Sequence, residues 1–155
     1  MKPIMRCLSV RQPWAWAIIH GGKDIENRNW KTDYRGLVAI HAGKAFDMNR
    51  SEWHDFSTGQ YGDFWHQMAR GYNKQPDHVL GAIIGVVEVV GCTPSYACDS
   101  PWKAGDDPDY FCWNLANPTA LKEPIPLKGQ LGLFNLPPHI VELIEAQDDL
   151  VRKLG

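Results

Sequence analysis

Hydrophobic and polar positions change their period several times along this chain, and each change predicts an element. Cys7 to Val10 reads as a short strand. Pro13 suits the first residue of a helix, where its missing N–H costs nothing. Trp14 to His20 then runs apolar, and Gly21-Gly22 supplies the stop. Lys23 to Trp30 is predicted extended, Asp33 to Gly36 a turn, and Leu37 to Ala42 a buried strand rich in Val, Ile and Leu. Val79 to Val90 is nearly all apolar and β-branched, as expected of a central strand covered on both faces, with Gly85 marking a bulge or a close backbone approach.

Between these strands, residues 45–72 mix Trp53, Phe56, Phe64, Trp65 and Met68 with polar positions, a pattern read as a helical insertion of two short helices. Residues 93–109 form a long polar connection with three prolines, whose length points to a functional loop. Strands are predicted at Tyr110 to Leu115, Pro124 to Leu127 and Leu131 to Leu136. Pro137-Pro138 then opens a terminal helix with Ile140, Leu143, Ile144, Leu150, Val151 and Leu154 at helical spacing. About six strands without regular β-α-β alternation predict a single α+β domain over 1–155, a small mixed β-barrel with flanking helices.

Composition narrows the class. With 44% hydrophobic and 22% charged residues the chain fits an ordinary globular domain. The opening MKPIMRCLSV lacks a secretory pattern, and the longest apolar run is too short to span a bilayer. A cytoplasmic protein without a membrane partner is expected. The four cysteines form no CxxC and the six histidines no HxxxH pair, so neither a metal nor a cofactor is expected. Net charge is −2, yet residues 1–44 carry eight Lys/Arg against three Asp/Glu. A basic front on an acidic body suggests a local anion-binding surface.

That basic excess coincides with the most informative stretch, LSVRQPWAWAIIHGGKDIENRNW. It resembles the opening of the ASCH domain, the activating signal cointegrator 1 homology domain. Gln12-Pro13-Trp14-Ala15 and the Gly22-Lys23, Glu26, Arg28, Trp30 series carry the likeness, with Tyr34-Arg35-Gly36 and His41-Ala42 behind them. Asn117-Pro118, Pro126, Lys128-Gly129 and Phe134 resemble the family's closing strands. The resemblance covers about 8–44 and 79–136. It implies a PUA-like fold with a cleft between the first helix and the barrel. The implied ligand is nucleic acid or a nucleotide: RNA, single-stranded DNA or a modified nucleoside.

The candidate site residues follow. Lys23 can hold a phosphate or, once desolvated, act as base or nucleophile. Strict alternation sets it apart from Glu26, so it must sit in the turn to join a cleft. Glu26 and Arg28 share a strand face, either as a ligand-binding network or as a structural bridge. Arg11 can grip phosphate in a fork, and Gln12 can read a base edge or cap the helix. Trp14, Trp16 and Trp30 offer stacking surfaces, with core packing the commoner fate of tryptophan, and Tyr34 is a further candidate ligand contact. His41 and Lys44 end a strand at the rim, where a satisfied core histidine fits equally well. Asn114 is a candidate for base-edge hydrogen bonds.

The resemblance also implies a hydrolase alternative. Some small bacterial relatives are amidohydrolases acting on N4-acetylcytidine, with a threonine three residues after the lysine. Here that position is Glu26. Binding is therefore the leading expectation. The alternatives are an amidohydrolase or ribonuclease using Lys23 and Glu26, and a protein-interaction adaptor using residues 45–72. The sequence leaves the oligomeric state open.

Overall fold

The computed structural model describes residues 5–47, 79–104 and 108–147. Six strands form one mixed sheet: β1 (Arg6–Gln12), β2 (Ile25–Arg28), β3 (Gly36–Phe46), β4 (Ala82–Pro94), β5 (Phe111–Pro126) and β6 (Leu133–Asn135). Their spatial order is β2-β5-β4-β3-β1-β6. β1 and β3 run parallel, and the other neighbours are antiparallel. Helix α1 (Trp14–His20) bridges β1 and β2, and α2 (Pro138–Gln147) follows β6.

Alternation along the strands feeds two apolar layers. On β1, Cys7 faces the layer completed by Ile140, Val141 and Ile144 of α2. Leu8 and Val10 face the other layer, with Ile18 and Ile19 of α1. The α+β architecture is thus as the pattern predicts, and β4 is indeed covered on both faces. Gly85 is both a bulge and a close approach. The β4–β5 register slips between Ile83 and Gly85, and a Cβ at Gly85 would lie 2.6 Å from Ile19 Cδ1 and 2.7 Å from Thr119 O. The missing side chain lets α1 lie directly on β4 and thereby sets where its N-terminal end points.

The expected small mixed barrel is an open sheet: the ladder ends at β2 and β6, and the described sheet does not close. These edge strands are short, with four and three residues. A side chain spans the seam instead, Arg28 donating to the Ser9 carbonyl of β1 at 2.8 Å.

A second correction concerns β5. The strands expected at 110–115 and 124–127 are parts of one sixteen-residue strand. Asn117-Pro118 does not break it; Asn117 takes φ 54°, and the ladder with β4 absorbs the irregularity as register shifts. β2 pairs only with Phe111 to Asn114. Beyond that, Pro118, Pro124 and Pro126 lie where one edge of β5 has no strand partner, so their missing N–H groups cost little.

The connection after β4 is shorter than expected, since Thr93 and Pro94 complete β4 and Ser95–Ala97 form a 3-10 turn. The helical insertion lies outside the described residues except at 45–47, where β3 continues to Phe46. Leu150, Val151 and Leu154 also lie outside them. No helix among the described residues is long and apolar enough to cross a membrane.

Candidate functional site

The helix stop builds the floor of a cleft. Gly21 N–H and Lys23 N–H both donate to Ala17 O, at 2.9 and 3.1 Å, and Gly22 adopts φ 75°. This turn folds Lys23 back against the start of β2. Its Nζ donates to Ile25 O at 2.5 Å and to Glu26 Oε1 at 3.3 Å. Glu26 Oε2 accepts from Arg28 at 3.0 Å, and Oε1 also accepts from Asn27 N–H at 3.2 Å. Lys23 and Glu26 are only 4% and 6% exposed. The three groups carry one net positive charge, and the buried Arg28 Nε–H has no hydrogen-bond partner.

Above this floor opens a cleft of about 980 Å³. Arg11 and Trp14, at the end of β1 and the start of α1, form one wall with Lys44 of β3. Asp47 fixes that wall, accepting from the Trp14 indole at 2.8 Å and from Arg11 at 3.4 Å. Trp102, Lys103 and Tyr110 also line the cleft. Asn27 ties their loop to β2, donating to Trp102 O at 3.1 Å and accepting from Ala104 N–H at 3.0 Å. Ser100 Oγ adds a bond to Asp24 at 2.6 Å. Cations, tryptophan faces and one buried carboxylate thus share a single open hollow.

Of the residues expected at a site, the structure brings together Arg11, Trp14, Lys23, Glu26, Arg28 and Lys44. Lys23 sits in the turn before β2, as alternation requires. The others stand elsewhere. Gln12 is fully buried, its Nε2 bonded to Val79 O at 3.0 Å and its Oε1 accepting from Trp16 N–H at 2.9 Å. It serves the first turn of α1, with neither end of its amide left over for a ligand. His41 is 2% exposed, with Nε2 2.6 Å from Leu127 O and Nδ1 3.0 Å from Ser9 Oγ. Because a carbonyl only accepts, Nε2 donates to Leu127 O. Asn114 lies off the cleft, its Nδ2 3.5 Å from Thr93 Oγ1. Trp30 and Tyr34 line a separate hollow of about 650 Å³ with Arg6. Burial there pushes the Tyr34 phenol up from its ordinary value, with Arg6 opposing.

Sequence reasoning missed Asn27, Asp47, Trp102 and Lys103. The loop length pointed towards Trp102 and Lys103 as a segment, though not as residues. Asn27 falls between Glu26 and Arg28 in strand parity and so faces away from them, which is why it can hold the loop.

Comparison with known proteins agrees with the fold. The model of the ASCH domain matches residues 8–125. Activating signal cointegrator 1 of Homo sapiens is 26% identical over 134 residues, 84% of this chain and 22% of that protein. The Mus musculus protein is 27% identical over 135 residues, with the same shares. The chain thus spans about a fifth of the length of these curated relatives. Among solved structures, ASCH from Zymomonas mobilis superposes with a TM-score of 0.56 at 11% identity, covering 92% of this chain and 94% of that one. A tyrosine-to-phenylalanine mutant of the same protein gives 0.54 at 12% identity, covering 92% and 96%. At such identities the likeness shows the fold alone.

Proposed function

Since this chain belongs to the ASCH domain family, a family generally associated with RNA binding, we propose that it binds single-stranded RNA or a modified nucleoside in the cleft between α1 and β2. One observation carries the reading: the Lys23–Glu26–Arg28 network opens into the same hollow as Trp14, Trp102 and the exposed Lys44. Such a hollow matches a ligand with negative phosphates and flat bases. Arg28 supplies a donor for a phosphate or base oxygen. Lys44 contributes an exposed charge at the rim, without an ion-pair partner among the described residues, and the tryptophans offer stacking faces. Glu26 orients the buried Lys23 and the partly exposed Arg28 and presents a carboxylate edge to base amino groups.

Fluorescence anisotropy with a short single-stranded RNA tests this. Lys44→Glu weakens binding on the order of tenfold, and the salt dependence becomes shallower by about one phosphate contact. Unchanged affinity in that variant would remove Lys44 from the ligand's path.

A hydrolytic reading has one specific support. Lys23 and Glu26 touch each other in a water-accessible cleft, so a carboxylate and an amine stand together where a carbonyl can enter. Incubation with acylated cytidine nucleosides and short RNAs, followed by mass spectrometry, separates the two. Retention without product supports binding, and release of the deacylated nucleoside or of cleaved RNA supports hydrolysis.

A further inference from the structure

We propose that the hollow formed by Arg6, Trp30, Thr32 and Tyr34 is a second base subsite. A single strand of RNA would reach it from the cleft across the Leu131–Gly132 ridge. The inference rests on the cleft being the RNA site and extends it.

Continuity is the first argument. Gly132 lines both hollows. Arg6 lines the second hollow and Val10 the cleft. Both stand on the one strand β1, about 13 Å apart. A few consecutive nucleotides bridge that distance.

Chemistry is the second. The Arg6 guanidinium lies 6.0 Å from the centroid of the Tyr34 ring. Among the described residues it has no carboxylate partner. A cation beside an aromatic face is what a phosphate followed by an unstacked base requires.

Preorganisation is the third. The Tyr34 hydroxyl donates to Leu37 O at 2.6 Å, and its backbone N–H to Thr32 Oγ1 at 3.1 Å. Trp30 meets Trp113 at 4.5 Å with the rings at 89°, while the Trp113 indole donates to Trp30 O at 3.1 Å. Neither ring has to be ordered when a base arrives.

Leu131 stands on the ridge and is 99% exposed. Isolated exposed leucines are common, but this one separates two aromatic hollows, where it can pack against a sugar or a base edge as the strand crosses. A duplex keeps its base faces stacked, so the arrangement fits a splayed single strand.

The test is anisotropy with single-stranded RNAs of about three and about ten nucleotides, lengths chosen to fill one hollow or to span both. The longer strand binds on the order of tenfold more tightly. Arg6→Gln removes most of that gain and leaves the shorter strand's affinity unchanged, which also shows that the variant is folded. Equal affinity for the two lengths, or a loss in Arg6→Gln shared by both, overturns the second subsite while the cleft reading stands. No binding at either length overturns the second subsite and the RNA reading of the cleft together.

Discussion

Replacing Glu26 by glutamine lowers the unfolding free energy by about 3–5 kcal/mol, measured by urea denaturation. The cause is the charge left behind. Lys23 keeps only 3% of its side chain in contact with solvent, so its ammonium cannot turn outward when the carboxylate is lost. Arg28, with 23% of its side chain exposed, can. The single variant therefore contains a buried cation facing an amide and the Ile25 carbonyl. Removing both charges reverses the loss. Lys23→Met combined with Glu26→Gln returns to within about 1 kcal/mol of the parent, because the unpaired buried ammonium is gone and the neutral amide oxygen can still accept from Arg28. That stable double variant then fails to bind RNA, which separates the network's part in the fold from its part in the site. A double variant as unstable as the single one would show that charge burial is not the cause.

Trp14→Ala lowers RNA affinity by about 1–3 kcal/mol, between about five- and about a hundredfold, read by anisotropy. The indole stands on the cleft wall with its N–H held by Asp47 at 2.8 Å, so the ring is fixed before a base stacks on it. No charge is lost, so the slope of affinity against salt stays the same. Trp14→Phe retains most of the binding because a flat face remains. Affinity within about twofold of the parent in Trp14→Ala would place the stacking surface elsewhere. A changed salt slope would mean that Trp14 acts by restraining Asp47 and Arg11.

Local pattern and long-range placement were not equally legible in the sequence. The strands, α1 and its glycine stop follow from apolar periodicity, because each is decided by neighbours a few residues away. The junction of Lys23, Glu26 and Arg28 was legible for the same reason: strand parity and one turn fix it. Asn27 and Trp102 were not, since 75 residues separate them and only the folded sheet brings them together. His41 and Gln12 show the converse. Both belong to the motif and carry suitable chemistry, yet tertiary packing encloses them. His41 is walled in partly because Gly129 has no side chain; a Cβ there would lie 2.8 Å from the histidine ring. Polar character marks a residue that must find a partner, and the sequence does not say whether that partner is the protein or a ligand. The continuity of β5 was hidden by its prolines, which read as breaks until the strand is seen to have an edge without a partner.

Photo-crosslinking of a 4-thiouridine-containing single-stranded RNA, with the adducts mapped by mass spectrometry, tests most directly whether the hollow beside α1 is where RNA lies. The account predicts adducts on peptides carrying Trp14, Trp102 and Tyr110, which line that hollow. Adducts confined to α2 or to the outer edge of β5, with none on those three peptides, would contradict it.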